Sequence, residues 1–323
     1  MATSRITRRT DLVLALGCMA LVLWVMYGWF PYGFGYGSTA EPVWKNLLWM
    51  WDGKHLPEWE HCPFVPLICL GLVYWKRREL MEIPVQGTNA GIWLMVLAGF
   101  VYWLGYMIDI VPFSFVSIQI TLGALMVWLL GWPFFRALLF PYLFLVFAWP
   151  MPFLDNLMAF QLKVVMTEIS YGFLNLIGIA CIRSGTAILS AADYRFGIPI
   201  GSKFSLEVAD PCSGIRSLYA LMMLSALAGY LFLPKVWQRW VLFGLSLPLA
   251  VAGNFGRILM LTFGTLLMGQ EVALGKPMEP SFYHMLSGYI VFAVALTGML
   301  LTGWLMDGGW KMIFWLAAGR RKT

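Results

Sequence analysis

Charge is scarce in this chain. Asp, Glu, Lys and Arg make up 12% of its 323 residues, whereas hydrophobic residues make up 60%, and the mean hydropathy is +0.76. That balance excludes a soluble globule, because so much apolar surface cannot be hidden in one core. Cysteine is also sparse: five residues, scattered without the spacing of a disulfide framework or a zinc site. No Ser/Gly linker, low-complexity run or internal repeat interrupts the chain, so it reads as one integral-membrane domain over residues 1–323. What remains is an all-α polytopic membrane protein.

Apolar runs of span length lie near 12–30, 63–75, 91–108, 115–132, 134–149, 213–233, 240–267 and 284–306, about eight transmembrane helices. The first run is read as an anchor rather than a cleaved leader, because no small-residue cleavage pattern follows it. The net charge of +6 obeys topology and gives no reason to expect nucleic acid. Arg5, Arg8 and Arg9, Lys76-Arg77-Arg78, Arg136, Lys235 with Arg239, and Arg320-Arg321-Lys322 fall in short loops or at chain ends. Together they define one cytoplasmic side, with both termini on it. The loops at 31–62, 150–212 and 268–283 then lie outside. Lys163, Glu168 and Asn175 interrupt the apolar stretch 153–182, which suggests helices lying in the outer interface or re-entering it. Within Arg183 to Asp210, Phe204, Leu206 and Val208 alternate with Ser205, Glu207 and Ala209 after a Gly201-Ser202 turn. That alternation predicts a small outer β-hairpin.

The loop ends in Asp210-Pro211-Cys212-Ser213-Gly214-Ile215-Arg216, where a polar stretch becomes an apolar helix. Asp210 suits the N-cap and Pro211 the first helical position. Cys212 then falls in a first turn, where unpaired N–H groups and the helix dipole favour a thiolate. Arg216, four residues on, adds a cation to the same face. Cys212 therefore reads as a nucleophile, whereas Cys18, Cys69 and Cys181 read as apolar filling.

Arg257 lies well inside the run Trp240 to Met268. An arginine in an apolar span costs roughly 2.5–3.5 kcal/mol on the gentler scales, which points to function or a specific partner. Asn254 precedes it by three residues on the same face, and Gly253 and Gly256 permit close approach of another helix. His284 follows Pro280-Ser281, with Ser281 as N-cap, and so belongs to the first turn of the last span. A histidine sharing a membrane face with Cys212 can take its proton or hold the ion pair. Arginine is a poor base, so Arg257 is better cast as a fixed charge for a thiolate or an oxyanion.

The tract Ala209-Asp210-Pro211-Cys212-Ser213-Gly214-Ile215-Arg216-Ser217-Leu218 resembles the signature of the exosortase/archaeosortase family of membrane-embedded cysteine transpeptidases. Asn254-Phe255-Gly256-Arg257-Ile258 is similar to that family's Asn-x-x-Arg helix, and His284 falls where it has a third catalytic residue. The resemblance covers mainly residues 150 to 300, with a weaker echo from His61 to Arg78. It implies catalysis by Cys212, Arg257 and His284, with Asp210, Ser213, Gly214, Arg216 and Asn254 in support and no cofactor or metal. The implied partners are exported proteins of the PEP-CTERM type, whose C-terminus carries a short motif, a transmembrane helix and a basic cluster. The bilayer, and a lipid or glycan acceptor, complete the set. In such families the arginine is cast as a proton donor; on pKa grounds His284 is the better carrier.

His55, Glu58, His61 and Cys62 form the only metal-like cluster, but their spacing matches no zinc pattern and they read as interfacial polar residues. Two other functions fit the composition. One is a thiol protease that hands the acyl group to water. The other is a transporter or lipid-flipping protein with Arg257 as anion site, against which stands the lack of a pathway of intramembrane charges.

Overall fold

The computed structural model describes residues 2–32, 41–207, 215–276 and 279–307. Among these the chain is mainly helical, with small antiparallel strand groups, and it divides into two compact units, 1–151 and 152–323. The catalytic region expected at about 150–300 falls within the second.

In the first unit α1 (Ala2–Leu23) continues through a π-helical stretch to Trp29, and β1 (Pro31–Tyr32) pairs with β2 (Glu41–Pro42). Then come α2 (Val43–Trp51), α3 (Phe64–Trp75), α4 (Arg77–Glu82), α5 (Ala90–Met107), α6 (Val111–Leu125), α7 (Trp132–Ala137) and α8 (Leu139–Phe144). The α5–α6 pair is close-packed because Gly91 leaves no side chain: a Cβ there would meet the Ala124 carbonyl oxygen of α6 at 2.6 Å. Side chains donating to carbonyls strap the α3 end to α7, through Lys76 to Ala137 at 2.8 Å, and α3 to α8, through the Cys69 thiol to Pro141 at 3.3 Å.

Five described helical stretches are long and apolar enough to cross a membrane: Thr10–Trp29, Ala90–Met107, Val111–Leu130, Val236–Met268 and Phe282–Met306. The other three expected spans correspond to shorter apolar helices, Phe64–Trp75, Leu139–Ala148 and Arg216–Phe232. The 134–149 run forms two short helices and a 3₁₀ turn. Pro133 and Pro141 each sit in a helical first turn, where the missing N–H is not needed, so each marks a new start.

The second unit opens with α9 (Pro152–Leu176), a single unbroken helix of 25 residues. One continuous helix thus accounts for most of the stretch 153–182. The expected small hairpin is present and widens to three antiparallel strands in the order β3 (Cys181–Ser184), β4 (Ala187–Ser190) and β5 (Ser205–Glu207). The alternation held for β5, where Phe204 and Leu206 are buried. β3 and β4 lack a clear alternation and are set by the two-residue turn Gly185-Thr186, where Gly185 takes a φ of +63° that a side chain rarely tolerates.

Next are α10 (Ile215–Phe232), α11 (Val236–Met268), α12 (Gln270–Leu274), the pair β6 (Gly275–Lys276) and β7 (Glu279–Pro280), and α13 (Phe282–Met306). α11 lies between α10 and α13 and runs antiparallel to both. Gly229 of α10 abuts Arg239, while Gly253 of α11 abuts Val291 of α13, where a Cβ would sit 3.0 Å from the valine Cγ1. One apolar core, including Leu218, Leu221, Leu242, Ala250 and Met299, fills the bundle. A second packs Ile188, Phe204 and Leu206 of the sheet against Met166 of α9 and Ile258 and Leu261 of α11. The sheet is thereby fixed to the helix that carries Arg257.

Candidate functional site

The site is built around the C-terminal half of α11. Arg257 stands 11 residues before Met268, so it lies about 16 Å from that helix end at 1.5 Å per residue. Its guanidinium turns towards α13: a Cβ on Gly288 would sit 3.4 Å from Cζ and 3.5 Å from one Nη. A larger residue at 288 would occupy the space the guanidinium fills. Gly288 is four residues after His284, so Arg257 addresses the face of α13 on which His284 projects.

His284 is held from several directions. Ser281 caps α13, its hydroxyl accepting from the His284 backbone N–H at 3.0 Å and donating to the Ala273 carbonyl at 2.8 Å. The Ser281 N–H donates to the Leu274 carbonyl at 3.1 Å. α12 therefore fixes the start of α13. The adjacent Tyr283 lies in a notch at Gly264 of α11, where a Cβ would be 2.4 Å from the ring, and its hydroxyl donates to the Met260 carbonyl at 2.9 Å. Gly264 carried no signal in sequence; its role follows from the close α11–α13 approach.

Asn254 is buried, 4% exposed, and its Nδ2 has no hydrogen-bond partner among the described residues. Buried amide donors are rarely left unmatched, so this one calls for a partner such as a bound group. Gly253 and Gly256 both face Val291 of α13, as their spacing predicted. Arg216 stands at the start of α10. Counting 13 residues back from Gly229 and 13 forward from its neighbour Arg239 places Arg216 beside about residue 252, roughly one turn from Arg257.

Cys212, Asp210, Pro211, Ser213 and Gly214 lie outside the described residues, so the nucleophile expectation rests on sequence. Arg257 and His284 are brought together on the α11–α13 seam, with Asn254 beside them. The metal-like cluster of the first unit does not converge. His55 stacks on Trp49 with ring centroids 4.3 Å apart and pairs with Asp52 at 3.6 Å. His61 stacks on Trp59 at 5.9 Å, while the Cys62 thiol donates to the Phe147 carbonyl at 3.2 Å. Burial lowers the His61 pKa to about 4, opposed by its hydrogen bond to the Glu58 backbone. It is a neutral structural imidazole at ordinary pH.

A helical membrane bundle whose α11 seats an arginine near a histidine of α13 defines the class: a polytopic membrane protein with a polar site on the α11–α13 seam. The sequence profile of transmembrane exosortases matches residues 44–301. The chain belongs to the transmembrane exosortase family, and so to membrane sorting transpeptidases in general terms. No match is found among curated proteins or solved structures.

Proposed function

We propose that the protein is a cysteine transpeptidase that cleaves a C-terminal motif–helix–basic tail signal of exported proteins just outside the inner membrane. The observation that supports it is the seating of the Arg257 guanidinium against Gly288, one turn from His284 on α13. Cys212 precedes Ile215, the first residue of α10, by three residues. Even a fully extended chain spans only about 11 Å over that distance, so the thiol is tethered to the end of α10 that carries Arg216.

The thiolate of Cys212 attacks the scissile carbonyl carbon, forming the S–C bond and placing negative charge on the carbonyl oxygen. Arg257 stabilises that oxyanion, and Asn254 supplies a second directed donor. His284, having taken the thiol proton, gives it to the leaving amine as the C–N bond breaks. The amine departs with the helical tail, and the acyl group stays on Cys212 as a thioester. An acceptor hydroxyl or amine on a lipid or envelope glycan then attacks the thioester, His284 takes its proton, and the thiolate returns. Asp210, Ser213 and Gly214 shape the turn that presents the thiol, and Arg216 favours its ionised form.

The test is co-expression with an exported reporter that ends in a short motif, an apolar helix and a basic cluster. Loss of the tail should be abolished by Cys212→Ala, Arg257→Ala and His284→Ala, each still inserted in the membrane. Normal processing by any of the three would contradict the role given to that residue.

A further inference from the structure

The three-stranded sheet has two edges, and they are finished differently. Ala191 N–H donates to the Ala180 carbonyl, so by antiparallel alternation Cys181 and Arg183 turn their backbone groups away from β4. At Cys181 that edge is closed: its N–H donates to Asn175 Oδ1 at 3.2 Å and its carbonyl accepts from Asn175 Nδ2 at 3.3 Å. A side chain of α9 thus takes the place of a neighbouring strand.

The opposite edge is β5. Ser190 N–H donates to the Phe204 carbonyl at 3.0 Å, and the register pairs Ile188 with Leu206 and Leu189 with Ser205. Phe204 and Leu206 therefore spend their backbone groups on β4, and Ser205 and Glu207 direct theirs to the free edge. Among the described residues β5 pairs with β4 alone. The buried side chains of Phe204 and Leu206 share one core with Met166, Ile258 and Leu261, so β5 is anchored to the same core as the part of α11 that carries Arg257. Open strand edges invite pairing with other chains, and proteins ordinarily blunt or cover them. Here the β3 edge is closed at Cys181, and among the described residues no strand pairs with the edge of β5, the strand that runs on in sequence towards Cys212.

We propose that the free edge of β5 receives the extended segment of the substrate beside its scissile bond, as an added strand hydrogen-bonded to Ser205 and Glu207. Strand addition supplies affinity through the main chain, and so accepts varied side chains at alternate positions. The occupant is an extended peptide rather than a lipid, because alternating N–H and C=O groups are matched by a peptide backbone. The inference rests on the proposed function, in which a peptide must be held straight for attack by Cys212.

The probe is the extramembrane segment of the processed reporter, made as a fluorescent peptide and as a series each bearing one backbone N-methyl group. Binding is read by anisotropy on full-length Cys212→Ala protein in detergent, so it does not depend on turnover. Methylation should weaken binding at every second position, by about five- to tenfold for each lost hydrogen bond, and leave the positions between unaffected. A second variant, Ser205→Pro, removes one edge-facing N–H and spares the β4 ladder, since proline is tolerated on an edge strand. It should raise KM for the reporter with little change in kcat. An N-methyl scan without alternation, or Ser205→Pro protein with normal helicity and unchanged KM, overturns strand addition. Processing by Cys212→Ala overturns the catalytic reading instead, and the peptide scan still decides the edge.

Discussion

The Arg257 guanidinium lies against Gly288, one helical turn beyond His284 on α13. Two helices joined by a short connection thus place a permanent cation and a titratable imidazole on one seam. A Cβ at 288 would just touch the guanidinium, at 3.4 Å from Cζ, so a side chain larger than alanine would compete for its space.

Shape at this contact matters as well as charge. Arg257→Lys should lose reporter processing nearly as badly as Arg257→Ala, on the order of 100-fold, because an ammonium cannot reproduce the two-pronged donor geometry. Gly288→Val should displace the guanidinium and lower kcat by about tenfold or more, with Gly288→Ala between it and the native protein. Steady-state processing in detergent or liposomes separates kcat from KM. Normal turnover by the lysine variant would reduce Arg257 to a generic positive charge.

The notch at Gly264 holds the start of α13. A methyl group at 264 would meet the Tyr283 ring at 2.4 Å, so Gly264→Ala should cost about 1–3 kcal/mol through overpacking, despite the better helix propensity of alanine. Thermal unfolding of the purified protein checks this. Adding Tyr283→Ala should recover part of the loss by vacating the notch, although the hydroxyl bond to Met260 is then gone.

Acid should destabilise the first unit through His61. Its folded pKa is about 4, lowered by burial from 6.5, so the unfolded chain binds a proton that the folded chain refuses. Stability is therefore intact above about pH 6.5 and falls as pH drops from there to about 4, by roughly 2–3 kcal/mol. His61→Asn should flatten the stability curve in that window. An unchanged slope would mean the imidazole is hydrated in the folded protein.

Much of this structure was legible from residue patterns, for identifiable reasons. Ser281 announced the start of α13 because an N-cap is a local hydrogen bond. Gly253 and Gly256 marked a helix contact because their spacing creates a flat face. Phe204 and Leu206 marked a buried strand face because a strand has period two. Other features depend on distant partners. Gly264 matters only because Tyr283 is delivered to it, and Gly288 only because Arg257 is. β3 and β4 carry little alternation and are organised by Gly185 and by Asn175 of α9. The continuity of α9 was obscured by Lys163 and Glu168; Glu168 is matched by an ion pair with Arg183.

Covalent catalysis by Cys212 is tested most directly by intact-mass analysis of the protein trapped with reporter in the absence of an acceptor. The expected product is an adduct carrying the reporter without its helical tail, attached at Cys212, released by hydroxylamine as a thioester is, and absent from Cys212→Ala. Tail removal by Cys212→Ala at more than about a tenth of the native rate, with no adduct on the native protein, would contradict it.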